Sequence, residues 1–205
     1  MPKLLSIDIG TTNLGYTFID FDTKCGLADM GIRFGIFRID AGKKVKDSIV
    51  IHRIKKVKEL FSLFPILDYV IIERQVNINT EAMELMYAIT SAAMLRVGDN
   101  CVTIFDPKLK FTHYHLKYDT KGKAHKRLSI QIAHEFLEAY YPELIDEFSM
   151  YEKKDDISDS LNQAIVWLRK NNMIKISDPD ISYDLKTLRE STSIQILPEE
   201  SHDDN

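Results

Sequence analysis

The chain has 205 residues, a mass of 23.7 kDa, 44% hydrophobic residues and a formal net charge of −4. That composition fits one core-forming domain with room for an appendage, and it excludes disordered, fibrous and collagen-like classes. No apolar run reaches the roughly 18 residues of a membrane span, Asp8 comes too early for a signal peptide, and Cys25 and Cys101 form neither a CxxC nor a thiolate metal cage, a usage that suits a reducing compartment.

Residues 3–9 read as a strand ended by Gly10, and residues 14–22 as a second strand, with residues 10–13 as the turn of a hairpin. A third strand falls within 29–39, where Ile32, Phe34, Ile36 and Phe37 lie near Gly31 and Gly35. Residues 44–64 predict a helix: Val50, Ile54, Val57, Phe61 and Phe64 keep the 4-3-4-3 spacing of one buried stripe, and Pro65 ends it. Residues 69–73 are a short, apolar, buried strand. Residues 80–97 form a helix that is apolar over most of its circumference and needs cover on two sides. One side is the sheet. The other is a second copy, with Met83, Met86 and Tyr87 in the interface, or the rest of the same core.

Residues 101–105 form the next strand, stopped by Asp106-Pro107. Between 108 and 127, Lys108, Lys110, Lys117, Lys121, Lys123, Lys126 and Arg127 stand against Asp119 alone, a local charge of +6. Such a field suits a polyanion whatever the total charge, and the interleaved Phe111, His113, Tyr114, His115 and Tyr118 suit unstacked bases. A solvated loop with Phe111 and Tyr114 in the core is the plainer reading of the same residues. Helices follow at about 126–141 and at 155–170, the latter with Ile157, Leu161, Ala164, Ile165 and Leu168 on one face. Residues 171–205 carry three cations against eight acids, net −5, which leaves 1–170 at +1. The division is therefore a domain over 1–173 and an acidic tail over 174–205 whose end is expected to be disordered. The element order, three strands and then alternation, implies an α/β fold with a mixed five-stranded sheet flanked by helices. Neither a GxGxxG nor a Walker A loop is present, so no nucleotide cofactor is expected.

Four acids stand in unusual places. Asp8 interrupts the apolar first strand, Glu73 ends Val70-Ile71-Ile72, and Asp156 and Asp159 lie three apart on one side of the last helix. Each has a bland explanation: a turn cap for Asp8, a solvated strand end for Glu73, a complement to the helix dipole for Asp155 and Asp156. Together they can meet at one point. Carboxylates that close repel one another, and a hard divalent cation, Mg²⁺ or Mn²⁺, relieves the repulsion. Two such ions form the known arrangement for phosphodiester cleavage.

Ser6-Ile7-Asp8-Ile9-Gly10, Ile71-Ile72-Glu73-Arg74-Gln75 and Lys153-Lys154-Asp155-Asp156-Ile157-Ser158-Asp159-Ser160-Leu161-Asn162 resemble the three acidic motifs of RuvC-type Holliday junction resolvases. The E-R-Q and K-x-D-D-x-x-D-S-x-N blocks are most similar to the poxvirus and large-DNA-virus branch, and the fungal mitochondrial resolvases are similar too. The resemblance spans about residues 3–170. It implies an RNase H-like fold, a homodimer, two metal ions per site, and paired symmetric nicking of a four-way DNA junction. Carried over by position, Asp8, Glu73, Asp156 and Asp159 are metal ligands, with Asp155 a weaker candidate. Lys126 is the best match to a catalytic lysine of the family, with Lys121 or Lys123 as a second, and simple phosphate binding is the alternative role for each. The resemblance places the protein inside the cell and, for a viral chain, at the site of viral DNA replication, the host cytoplasm.

Other readings use fewer of these residues. An RNase H-like nuclease acting on RNA–DNA hybrids or flaps shares the whole acidic set. Asp8-Ile9-Gly10-Thr11-Thr12-Asn13 also resembles the phosphate loop of sugar kinases and actin-like ATPases, but that reading leaves the D-x-x-D helix and the E-R-Q strand end without a role. A non-catalytic DNA-binding module has no need of acids inside strands.

Overall fold

The structure is a computed structural model that describes residues 1–23, 26–39, 49–75, 79–112 and 123–174, apart from the side chains of residues 49, 112, 123 and 124. Strands β1 (Lys3–Ile9), β2 (Asn13–Asp20) and β3 (Gly31–Arg38) form an antiparallel meander. Helix α1 (Ile49–Ser62), strand β4 (Tyr69–Glu73), helix α2 (Thr80–Val97) and strand β5 (Val102–Phe105) follow. Helices α3 (Leu109–Thr112), α4 (Lys123–Tyr140), α5 (Ile145–Met150) and α6 (Lys154–Lys170) complete the fold. The sheet order is β3-β2-β1-β4-β5, with β1, β4 and β5 parallel. The mixed five-stranded sheet matches the expectation from element order. Helices α3 and α5 are too short to leave a periodic signal in the sequence.

Strand alternation divides the residues between two cores. Leu5, Ile7, Ile9, Val70 and Ile72 face α1 and α2. Leu4, Ile19, Phe34 and Ile71 face the layer that contains α4 and α6. Ser6 and Asp8 follow Leu4, and Glu73 follows Ile71, so both acids belong to the α6 face. There α6 is polar where it meets the sheet. Ser6 Oγ donates to Ser160 O at 2.7 Å, Ser160 Oγ and Thr17 Oγ1 are 2.8 Å apart, and Gln163 Nε2 reaches Ser6 Oγ at 3.0 Å. Ser6, Thr17 and Ser160 are small and hydrogen-bonded, which lets the helix lie close to the strands.

Helix α1 departs from the expected stripe. Val50 and Ile54 are 54% and 55% exposed, while Arg53, Val57, Leu60, Phe61 and Phe64 are buried. Arg53 takes the inward position because it bridges to α2, with Nη2 at 2.8 Å from Glu81 Oε2 and Nη1 at 3.5 Å from Glu84 Oε2. Helix α2 buries Ala82, Leu85, Met86, Ile89 and Ala93 in its own chain. Met86, expected at an interface, is a core residue, 7% exposed, whose Sδ accepts the Gln75 N–H at 3.3 Å. Met83 is half-buried and Tyr87 is exposed.

Gly15 pairs with Asp8 across the β1–β2 ladder. A Cβ added there would lie 2.1 Å from the backbone oxygen of Asp156 and 3.1 Å from its Cβ. The missing side chain is what admits the first turn of α6 beside Asp8. Gly15→Ala is expected to lower the unfolding free energy by about 2 kcal/mol or more, as overpacking does. Gly31→Ala, whose Cβ would stand 3.5 Å from its nearest neighbour, is expected to change little. Urea unfolding of the two variants separates these outcomes, and equal midpoints would show that α6 simply shifts away.

Candidate active site

Register brings the first two acids together. Ile7 pairs with Ile72 in the parallel β1–β4 ladder, so the next residues, Asp8 and Glu73, stand side by side at the carboxyl ends of their strands. In open α/β sheets that is where ligand crevices form. Asp8 is only 8% exposed and hydrogen-bonds the Glu73 carboxylate. Burial, and then the charge of Glu73, pushes the Asp8 carboxyl well above its ordinary value. Burial, the largest single influence, would raise Glu73 too, but the Lys110 ammonium and the hydrogen bonds from Asp8, Lys110 and Gln75 together hold Glu73 below its ordinary value.

Lys110 was expected among DNA-facing cations on the surface. The structure puts it inside the acid cluster, 2% exposed, with Nζ at 2.7 Å from Glu73 Oε1 and 3.0 Å from Asp159 Oδ1. Desolvation opposes its charge, but Asp159, Glu73 and Asp8 override that and raise its pKa. The placement comes from the turn after β5. Asp106 accepts the N–H groups of Lys108 on Oδ1 and of Leu109 on its carbonyl, both at 3.0 Å. This winds α3 back over Glu73. Phe111 is buried and stacks on His125 at 4.8 Å between centroids, which fixes α3 against α4.

Asp159 is held from the other side. Ser129 Oγ on α4 donates to Asp159 Oδ1 at 2.6 Å, and Asn162 Nδ2 donates to Ser129 O at 2.9 Å and to Ser129 Oγ at 3.0 Å. Sequence reasoning assigned no role to Ser129 or Asn162. The asparagine three residues after Asp159, one helical turn on, was the available signal. Asp156 lies over Gly15 and is half-buried; burial, and then the neighbouring Asp155 charge, raises its pKa. Asp155 forms an ion pair with Lys126, whose pKa rises chiefly through that hydrogen bond. Glu73, Lys110, His125, Lys126 and Asp159 line a cleft of about 230 Å³.

The site thus joins Asp8, Glu73, Lys110 and Asp159 directly, with Asp156 on the same face and Asp155–Lys126 at its edge. Among the described residues, no three His, Cys, Asp or Glu side chains are already arranged to hold a metal ion. The Lys110 ammonium takes the space between Glu73 and Asp159. Of the other expected DNA-facing residues, Lys108 and Arg127 are exposed, while Lys117, Lys121, the side chain of Lys123, residues 113–118 and the tail from 175 lie outside the described residues.

The family model described as "Poxvirus A22 protein" matches residues 3–172. Among curated proteins, none is significantly similar in sequence. Among solved structures, the fowlpox virus resolvase in complex with substrate Holliday junction DNA is similar with a TM-score of 0.56 at 18% identity, covering 82% of this chain and 98% of that one. The yeast mitochondrial Holliday junction resolvase gives 0.62 at 14% identity, covering 93% and 86%. Thermus thermophilus RuvC gives 0.53 at 14% identity, covering 83% and 97%. The likeness is one of fold, and the fold is the RNase H-like α/β fold of the RuvC type.

The two buried acids respond oppositely to pH. Asp8, raised in the fold, contributes stability that is complete below its ordinary range and is lost as pH rises through its elevated value. Glu73, lowered, contributes above its ordinary range and loses that contribution as pH falls through its depressed value. In chelator-treated buffer, the urea midpoint of the wild type is therefore expected to decline as pH rises above the ordinary carboxylate range, and that of Asp8→Asn to stay flatter. Parallel profiles would mean that Asp8 ionises like an ordinary surface carboxyl.

Proposed function

We propose, because this chain belongs to the poxvirus A22 protein family, that it is an endodeoxyribonuclease that resolves four-way DNA junctions by paired symmetric nicks. The observation that carries the reading is the buried Asp8–Glu73 pair, linked through Lys110 to Asp159 at one sheet edge. A binding module has no use for two carboxyls buried side by side at a sheet edge. The fowlpox virus resolvase and RuvC, which share the fold, are Holliday junction resolvases.

The donor set fits hard divalent cations: it is all oxygen, drawn to one face, and contains a carboxyl pair that only an added positive charge lets ionise fully. Asp8, Glu73, Asp156 and Asp159 would hold them, Mg²⁺ with Mn²⁺ as a substitute, two ions per site. When bound, such ions supply an activated water and positive charge at the departing 3′ oxygen. The protein's own groups do the rest. Ser129 and Asn162 orient Asp159. Without ions the Lys110 ammonium neutralises Glu73 and Asp159; with ions held there it would give up that place, and, since it borders the cleft, it could then hold charge on the scissile phosphate. Lys126 extends from the cleft edge, where a catalytic contact and simple backbone binding are both open to it.

Cleavage of two strands of like polarity calls for two sites related by a twofold axis, and a C₂ dimer supplies them. Helix α2 presents Met83, Tyr87 and Met94 on the flank away from α1, at the 4-3-4 spacing of one stripe that Thr90 completes. Its neighbour Met86 holds Gln75, two residues from Glu73, so pairing along this flank sets both sites near the axis. No helix among the described residues is long and apolar enough to cross a membrane. The proposed setting is the host cytoplasm, where a poxvirus replicates its DNA.

Asp8→Asn and Glu73→Gln are each expected to slow junction cleavage in Mg²⁺ by about 10³-fold or more while leaving junction affinity within a few-fold. A labelled four-way junction run beside a linear duplex and an RNA–DNA hybrid tests this, and retained cutting would remove those residues from the chemistry. The double variant Met83→Glu, Tyr87→Glu is expected to sediment as a folded monomer that cuts poorly. Met86 and Ile89 are unsuitable for that test because they belong to the core. An unchanged dimer would place the interface elsewhere.

A further inference from the structure

A second cleft, of about 380 Å³, opens on the far side of the turn that carries Lys110. Arg74, Lys170 and Asn171 are its exposed residues, and Leu109 and Trp167 form part of its floor. The two clefts share a wall one residue thick. Glu73, Pro107 and Lys110 line the acid cleft, while their sequence neighbours Arg74, Asp106 and Leu109 line the second. Consecutive residues are about 3.8 Å apart, so the second cleft begins where the acid cleft ends.

Charge divides along the same wall. Among the described residues, the acid cluster gathers Asp8, Glu73, Asp155, Asp156 and Asp159 against Lys110, Lys126 and Lys153, an excess of negative charge. A polyanion is repelled there and has to be held from beside it. In the second cleft, the side chains of Arg74 and Lys170 have no ion-pair or hydrogen-bond partner among the described residues, while the Arg74 backbone N–H is tied to Phe105 O at 2.8 Å. Asp106, the carboxylate in its wall, is occupied in capping the Lys108 N–H at 3.0 Å. The indole N–H of Trp167 is satisfied by Thr103 Oγ1 at 3.1 Å, and the Asn171 amide donates to Trp167 O at 2.8 Å, so the floor is closed and pre-ordered. Complementing the α6 dipole does not account for this pair, since Arg74 lies on another element.

We propose that the cleft bounded by Arg74, Lys170 and Asn171 is a phosphate-binding subsite that grips the nucleic-acid backbone next to the scissile position. This rests on the nuclease reading and deepens it. Guanidinium and ammonium groups bind phosphate oxygens strongly and carry no base information, so the subsite sets register rather than sequence. The strand enters over Arg74, and the neighbouring phosphate is thereby laid against Glu73 and Lys110.

The test uses the full-length chain made cleavage-silent by Asp8→Asn, a labelled four-way DNA junction, and affinity measured across a range of NaCl concentrations. Adding Arg74→Ala and Lys170→Ala is expected to weaken binding about 10-fold or more and to flatten the log–log salt slope by about 1 to 2, one phosphate contact per lost cation. Arg74→Lys should recover most of both. Lys58→Ala, an exposed cation on α1, is the control and should move neither. Thermal unfolding checks that the exposed substitutions leave the fold intact. A parent protein that binds no DNA would overturn the nuclease reading and the subsite together. A parent that binds, with affinity and slope untouched by the double substitution or lowered equally by Lys58→Ala, would overturn the subsite alone.

Discussion

Like charges crowded at a dry sheet edge are the constraint around which this molecule is arranged. Asp8, Glu73 and Asp159 come from β1, β4 and α6, and their mutual repulsion calls for an answering positive charge. The Lys110 ammonium, in contact with Glu73 and Asp159, supplies it. Breaking a buried ion pair by removing one partner typically costs about 3–5 kcal/mol. A protein under selection for stability alone would have replaced these groups with apolar ones. Their retention locates the function.

The scaffold explains how the acids are kept in place. Strand alternation alone sends Asp8 and Glu73 to the α6 face, and the parallel β1–β4 register makes them neighbours. The polar seam of Ser6, Thr17, Ser160 and Gln163, with Gly15 beneath Asp156, brings α6 within reach. Asn162 and Ser129 then aim Asp159 from behind. The seam from Ser6 to Gln163 and the Asn162–Ser129 contact are hydrogen bonds between buried groups, where such bonds are strong and an unmet partner is costly. The geometry is therefore set before any substrate arrives.

Much of this was legible in the amino-acid order. Asp8 and Glu73 stood out because an acid inside an apolar strand has few innocent explanations, and D-x-x-D placed its two acids on one side of a helix. The strands followed from short apolar runs bounded by turn residues, α2 from being apolar over most of its circumference, and α6 from its one-faced stripe. Lys110 was not legible: a cation in a basic run reads as surface, and only the four-residue α3 turns it inward. The α1 stripe was misread because Arg53 has an ion-pair partner on α2, which no pattern within α1 reveals, and Val50 and Ile54 were left outside. Met86 looked like interface because a helix apolar all round does not say which side its own chain covers. In each case the deciding contact is long-range, and local sequence carries no record of it.

The seam between β1 and α6 has a further consequence for how the protein comes into being. Ser6 meets Ser160 and Gln163 across separations of 154 and 157 residues, so the first strand waits for the last helix. Contacts of such high order form late and slowly, because a long loop must close before they reward it. During synthesis, the early meander is complete long before α6 leaves the ribosome. A nascent chain that still lacks α6 has strands but no Asp159 opposite Glu73, and the acid cluster assembles only when that helix packs.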